Sequence, residues 1–113
     1  MCLQLLMGKK LREKLDHVKK AVEAGKYRFT LHGAQQLIAR RLKRVGIEEA
    51  VKSGEIIEDY PKHHYGPACL ILGKTVQGKS LHLVCSLQEI VDIITVYEPD
   101  LIEWENNLKT RKK

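Results

Sequence analysis

Apolar residues recur at helical spacing through the first half of the chain. Between residues 9 and 24, intervals of three or four residues place four of them on one face of a predicted helix, namely Leu11, Leu15, Val18 and Val22. Gly25 ends that helix. The same period continues over residues 34–45, and Gly46 separates this second helix from a short third one at residues 47–52. The first half is therefore predicted to be mostly helical.

After Gly54 the pattern changes from that of helices to that of strands. A short half-buried strand is predicted for residues 27–31, and four further strands for residues 55–60, 68–72, 80–86 and 90–97. The last four are joined by short loops and are therefore predicted to be antiparallel neighbours. Asp100 and Glu103 have capping-box spacing, which predicts a closing helix with an apolar face of Leu101, Trp104 and Leu108.

This order of elements predicts an α+β fold. The N-terminal helices pack on an antiparallel sheet of about four to five strands, and a C-terminal helix follows. A chain of 113 residues is one domain in size, so residues 1–113 are predicted to form a single domain with flexible ends at residues 1–8 and 109–113. The content of 43% hydrophobic and 30% charged residues excludes a chain that is disordered throughout.

Charge is unevenly distributed along the chain. The formal net charge is +6, but residues 1–52 hold 13 basic and 5 acidic side chains, whereas residues 53–108 hold 3 basic and 9 acidic ones. Residues 109–113 add four more basic side chains. A basic half beside an acidic half indicates a surface for a polyanion such as RNA, and the acidic half offers a surface for a basic protein partner.

Cysteine use and hydropathy bear on the compartment. Cys2, Cys69 and Cys85 are odd in number and form no CxxC pair, which argues against a disulfide framework and a zinc ribbon. Cys69 and Cys85 alternate with apolar neighbours and are predicted to be core residues. No apolar run approaches the roughly 18 residues of a membrane span. The sequence thus predicts a cytoplasmic protein with no membrane partner.

Several segments together resemble a known family. They are YRFTLHGAQQLIARR, EEAVKSGEIIEDYP, the GPACLILG and GKSLHLVCS pair, and IITVYEPD followed by a tryptophan. Over residues 27–104 the chain resembles a domain-of-unknown-function family that is similar to RelE- and BrnT-type toxins of the barnase–EndoU–colicin–RelE fold. The resemblance implies metal-independent cleavage of RNA by a protein that an antitoxin partner restrains.

The resemblance also assigns residues to a site. His32 matches the family histidine at the strand-to-helix junction, and Arg40 the arginine eight positions later. His82 matches the histidine of the family's Leu-His motif. Thr95 and Tyr97 match the threonine and tyrosine of its last strand. Three departures are visible: Gly33 replaces an alanine, Gln36 stands where arginine is common, and residues 41–45 are an insertion.

Metal-independent RNA cleavage needs a base for the ribose 2′-hydroxyl, an acid for the leaving oxygen and a cation for the phosphorane. His32 and His82 suit the first two roles because imidazole titrates near neutrality. Arg40 suits the third because a guanidinium grips phosphate with two hydrogen bonds. Tyr97, with Thr95 in support, donates a hydrogen bond or stacks on a base. No metal or other cofactor is expected.

The pairing of the last two strands tests this site. If the hairpin turns through Gln88-Glu89, paired residue numbers sum to 177, His82 lies opposite Thr95, and Tyr97 is a diagonal neighbour on the same face. If the sum is 176, His82 lies opposite Ile94 and the polar residues are divided between the two faces of the sheet.

A basic run near the second helix supports an RNA partner independently of catalysis. Arg40, Arg41, Lys43 and Arg44 are predicted to form a basic helical face, and Arg28 adds a charge from the first strand. Such a face is also compatible with plain solvation. A non-catalytic module that binds RNA or protein is therefore the alternative function, favoured by Gln36 in place of arginine.

Two other polar clusters have simpler explanations. His63-His64, with Tyr65 and Cys69 nearby, matches no standard zinc-ligand spacing. Glu58 and Asp59 are adjacent on a strand, so they are predicted to point to opposite faces and to protect the edge of the sheet or face a partner.

Overall fold

The described residues form three helices and five strands. The computed structural model describes residues 2–64 and 66–112, with side chains from Gly8 onward. In chain order the elements are α1 (Cys2–Glu23), β1 (Tyr27–Phe29), α2 (Leu31–Ala39), α3 (Arg44–Lys52), β2 (Glu55–Tyr60), β3 (Ala68–Lys74), β4 (Ser80–Ser86) and β5 (Val91–Tyr97). The α+β class is confirmed, and β2 and β4 have the predicted bounds.

The strands form one sheet in the order β1-β5-β4-β3-β2. β2 to β5 are an antiparallel meander, as predicted. β1 pairs with β5 in parallel, so the prediction of an all-antiparallel sheet is wrong. The antiparallel inference depended on short loops, and no short loop joins β1 to another strand.

The sheet buries both of its faces. On one face α1 and α3 cover the main core, which includes Val18, Ile47, Ile71, Leu83 and Ile93. On the other face a smaller cluster forms around Trp104 with Ala68, Leu70, Val84 and Ile94. Because side chains alternate along a strand, His82 and Val84 face the smaller cluster while Leu81 and Leu83 face the main core.

The prediction of a C-terminal helix over residues 99–108 is wrong. Asp100 does cap a first turn, since its Oδ1 accepts hydrogen bonds of 3.0 Å from the N–H groups of Ile102 and Glu103. Beyond that turn Leu108 has a φ of 60°, and Trp104 forms an isolated antiparallel bridge with Arg111. Asparagines at 106 and 107 favour turns over helix, and Asn107 accepts from the N–H groups of residues 109 and 110. We call residues 98–112 the C-terminal segment.

The second helix is shorter than predicted, and the basic run does not form a helical face. α2 ends at Ala39, and α3 begins at Arg44, with Gly46 inside it. The N–H of Leu42 donates to the carbonyl of Leu37, and that of Arg41 to the carbonyl of Ile38, which is a Schellman motif. This turn directs Leu42 toward the main core. The Schellman motif thus ends the helix and leaves Leu42 partly buried against the core.

The pairing of β4 with β5 matches neither predicted register. His82 lies opposite Tyr97 and Val84 opposite Thr95, after which Cys85 lies opposite Ile93 and Ile94 is an extra residue. The expected two-residue turn is a four-residue loop over 87–90. Relative to the sum of 177 the strands are displaced by two residues, so His82 and Tyr97 still share a face.

Two of the three cysteines are buried, as the sequence predicts. Cys69 and Cys85 are free, buried thiols, as predicted for core residues, and burial raises the pKa of Cys69 to about 12. The side chain of Cys2 lies outside the described residues. Within the described part of the chain, no helix is both long and apolar enough to span a membrane.

Candidate functional site

His82 is the centre of a polar cluster on the face of the sheet that the C-terminal segment covers. Its side chain is fully buried. Nδ1 is 3.0 Å from the Tyr97 hydroxyl, and Nε2 is 2.7 Å from the carbonyl oxygen of Leu108. The Trp104 ring meets the imidazole edge-on at 4.4 Å between centroids. We call His82, Tyr97, Trp104, Glu58, Tyr60 and Arg111 the histidine cluster.

The partners of His82 assign its tautomer. A carbonyl oxygen only accepts, so Nε2 carries the proton and donates to Leu108, while Nδ1 accepts from the Tyr97 hydroxyl. Burial lowers the pKa of His82 and outweighs the opposite effects of the Leu108 carbonyl and the Glu58 charge. Burial likewise raises the pKa of Tyr97. At neutral pH the cluster therefore contains a neutral imidazole that accepts from a neutral phenol.

A charged pair lies beside this histidine. Arg111 donates from Nε to Glu58 Oε2 at 2.9 Å and from Nη2 to Oε1 at 3.1 Å, and its guanidinium stacks 4.6 Å from the centre of the Trp104 ring. Tyr60 also donates a hydrogen bond to Glu58. Burial raises the pKa of Glu58, but the hydrogen bonds from Arg111 and Tyr60 prevail and lower it. The carboxylate stays ionised and holds the C-terminal segment on the sheet.

The two candidate acid–base histidines do not occupy one site in this structure. His32 is exposed in the first turn of α2, whereas His82 is fully buried under the C-terminal segment. Tyr97 is the residue that the fold brings to His82, by strand pairing and by hydrogen bond. Thr95 lies opposite Val84, two pairs further along the ladder. Arg40 is the C-cap of α2 and is exposed.

The predicted nucleic-acid-binding residues fall into two groups. Arg28 donates from Nε to Asp92 at 2.7 Å, and Arg44 donates to the Tyr27 hydroxyl at 2.8 Å while its guanidinium lies 5.0 Å from that ring's centre. Both are thus held by neighbours. Arg40, Arg41 and Lys43 are exposed in the link between α2 and α3, and none of the ion pairs within the described residues involves them. We call residues 40–43 the basic connection.

Arg41 has an unusual backbone conformation within the basic connection. Its φ of 54° lies in the left-handed region, at the position after the helix end where glycine is usual. A side chain there costs on the order of 1 kcal/mol. The chain carries a guanidinium at this point although glycine would make a more stable turn.

Gln36, where the resemblance implies an arginine, has a structural role. β1 stops at Phe29, so the edge of β5 beyond Ile93 has no strand partner there. The Gln36 Oε1 accepts the Val96 N–H at 2.7 Å and the Thr30 hydroxyl donates to the Ile94 carbonyl at 3.2 Å. Gly33 makes this approach feasible, since a Cβ there would be 2.3 Å from the Ile93 carbonyl oxygen. An arginine at position 36 has no acceptor for the Val96 N–H.

The acidic residues of β2 are paired within the chain. Glu58 pairs with Arg111, and Asp59 with Lys14 of α1 at 3.0 Å, so the two carboxylates do point to opposite faces as predicted. Glu55 pairs with Lys109 at 2.8 Å. These carboxylates are thus already matched by cations, which leaves less uncompensated negative charge for a basic partner.

Residues 2–64 and 66–112 contain no metal-binding cluster, because no three His, Cys, Asp or Glu side chains lie close enough together to hold an ion. The His63 and His64 rings stack at 4.5 Å. Tyr65 lies outside the described residues.

The fold and this arrangement define a small α+β protein with a five-stranded mixed sheet and one histidine sealed beneath its C-terminal segment. The chain belongs to the family described as a domain of unknown function (DUF4258), whose model matches residues 29–98. The match confirms the predicted membership of a domain-of-unknown-function family. No curated protein and no solved structure matches the chain. The matched region contains His32, Arg40, His82, Thr95 and Tyr97 and ends at Glu98, the first residue of the C-terminal segment.

Sequence reasoning did not find Glu58, Tyr60, Trp104 and Arg111 as neighbours of His82. Glu58 and Tyr60 lie on β2 and Trp104 and Arg111 in the C-terminal segment, so the cluster forms only when that segment folds back over the sheet. The one available signal was the basic tail after Leu108, which could have been matched with the acidic strand β2.

Proposed function

We propose that this protein is a toxin-like RNA-acting protein that binds the phosphate backbone through its basic connection. The observation that supports this most directly is an asymmetry of charge pairing. The three carboxylates on β2 each have a cation partner, whereas Arg40, Arg41 and Lys43 lie exposed and outside the ion pairs of the described residues. Uncompensated cations in one short segment favour a polyanion.

A test of RNA binding compares two triple variants with equal loss of charge. One changes Arg40, Arg41 and Lys43 to glutamine; the control changes Lys9, Lys10 and Arg12, which are exposed on α1. With a short single-stranded RNA, we expect the first variant to bind more weakly and to show a smaller dependence on salt, by roughly 0.7 in the logarithmic slope for each lost phosphate contact. Equal losses in both variants, or affinity that stays constant as salt rises, would contradict the proposal.

Metal-independent cleavage of RNA is the second candidate function. The adjacency of His82 and Tyr97 favours it, because a neutral imidazole in contact with a phenol can exchange a proton with it. Catalysis at this site requires the C-terminal segment to move, since both ring nitrogens are engaged and the side chain is buried. Under this proposal an antitoxin partner restrains the activity.

Cleavage is tested with purified protein in the presence of a metal chelator, beside growth arrest on expression. Wild type is compared with His82→Ala, His32→Ala and Tyr97→Phe, the last of which removes one hydroxyl and keeps the ring. Cleavage that persists in chelator and falls in Tyr97→Phe supports the enzyme hypothesis. An inactive wild type that still binds RNA leaves the non-catalytic module as the function.

A further inference from the structure

A groove lies between the basic connection and the hairpin that joins β3 to β4. It has a volume of about 300 Å³, at the low end of small-ligand pockets, which suggests one small ligand. Leu42, Val45 and Val76 give it apolar walls, and Arg41, Lys43 and Lys79 line it with positive charge. A site with apolar surface and several cations suits a ligand that has a flat apolar part and a phosphate.

The cations approach the groove from two separate parts of the chain. Arg41 and Lys43 come from the basic connection, and Lys79 comes from the hairpin. Lys79 pairs with Glu98 at 3.3 Å, but both side chains are about half exposed, so this pair is weak and exchangeable. The first turn of α3 also borders the groove, and Lys43, its N-cap, makes no side-chain capping bond.

One acidic side chain borders the groove as well. Glu49 accepts the Val76 N–H at 3.1 Å through Oε1, which ties the hairpin to α3. Its other oxygen has no hydrogen-bond partner among the described residues and can accept from a ribose hydroxyl or from the amino edge of a base. A carboxylate beside three cations favours a nucleotide over a plain anion, because a nucleotide presents donors as well as phosphate oxygens.

We propose that this groove binds one unpaired nucleotide, with its phosphate on Arg41, Lys43 and Lys79 and its base against Val45 and Val76. This inference rests on the proposed RNA-acting function and specifies its ligand as single-stranded RNA. In a duplex the bases are paired and stacked, so only an unpaired nucleotide can place a base against an apolar wall. The same chemistry is present in a free nucleoside monophosphate.

The experiment compares Lys79→Gln with Lys74→Gln, which removes the same charge from the same hairpin outside the groove. Affinities are measured for an eight-nucleotide single strand, the matching duplex and adenosine or guanosine 5′-monophosphate. We expect Lys79→Gln to weaken single-strand binding about threefold or more and to lower the salt slope by roughly 0.7, with little change in Lys74→Gln. Amide NMR shifts on titration should centre on Gly46, Val76 and Gln77.

The possible results separate this inference from the function on which it rests. If single-stranded RNA binds but the two lysine variants behave alike, or if the duplex binds as well as the single strand, the groove inference is wrong and RNA binding stands. Binding of the monophosphate alone, lost in Lys79→Gln, identifies a free nucleotide as the ligand. If no RNA or nucleotide binds to wild type, both the proposed function and the groove inference fail.

Discussion

The histidine cluster and the basic connection differ in almost every physical respect. In the histidine cluster each ring nitrogen of His82 has a partner, and the side chain is excluded from water. In the basic connection three cations are exposed, and Arg41 has a strained left-handed backbone. The comparison indicates that the first region contributes stability and the second leaves charge available to a partner. The resemblance assigns His32 and His82 to one site, but His32 is exposed and His82 is fully buried.

The largest expected effect is on stability at His82. We expect His82→Ala to lower the free energy of unfolding by about 3 kcal/mol, because it leaves a cavity and deprives Tyr97 and the Leu108 carbonyl of their partner. His32→Ala, at an exposed site, should change it by less than about 0.5 kcal/mol. Urea denaturation measures both. Equal effects of the two variants would contradict the distinction between a buried and an exposed histidine.

Substitution of Gln36 should lower the free energy of unfolding by a smaller amount. We expect Gln36→Ala to lower the free energy of unfolding by about 1–2 kcal/mol, since the Val96 N–H then lacks its acceptor. Gln35→Ala is the control, because that side chain is exposed on the same helix. Hydrogen exchange at the Val96 amide should accelerate in the first variant only. Unchanged protection would show that another group satisfies this edge of β5.

Acid should destabilise the protein in a window set by His82. Its pKa is lowered in the folded state, so the unfolded chain binds more protons, and stability decreases as pH falls below about 6.5. His63, whose pKa is lowered by burial and by His64, adds to the same window. Glu58 also has a lowered pKa, and its contribution is lost only below about pH 4.5.

Denaturation at pH 7, 5.5 and 4 separates these groups. The loss between pH 7 and 5.5 should shrink in His82→Gln and, to a different extent, in His63→Ala. The loss of stability below pH 4.5 should persist in both histidine variants. Stability that rises on acidification would contradict the sign of the His82 shift.

The smallest expected stability change has the opposite sign. Arg41→Gly should raise the free energy of unfolding by about 0.5–1 kcal/mol, because relief of the left-handed backbone outweighs the greater freedom of the unfolded chain. The same variant should weaken RNA binding. Arg40→Gly removes the same charge at a φ of −95° and should instead be slightly destabilising. A loss of stability in Arg41→Gly would show that the guanidinium makes stabilising contacts.

Much of the fold was accessible from local pattern. Strand-forming residue types between turn residues placed β2 at 55–60 and β4 at 80–86, and the apolar neighbours of Cys69 and Cys85 marked both as core residues. The errors have tertiary causes. A turn that packs Leu42 against the core ends α2, and Ile94 shifts the register by an extra residue in β5. The turn at Asn107 and Leu108 replaces the final helix.

The sequence alone determined that residues 1–52 are mostly helical, that residues 55–97 are mostly extended, and that basic residues are in excess in residues 1–52. These properties are local or additive, so they survive without knowledge of contacts. Only the tertiary structure decided that β1 joins β5 in parallel, that His82 meets Tyr97 and not His32, and that β2 neutralises its acidic residues with Lys14, Lys109 and Arg111. Each depends on contacts between residues far apart in the chain, which the periodicity of a single segment does not encode.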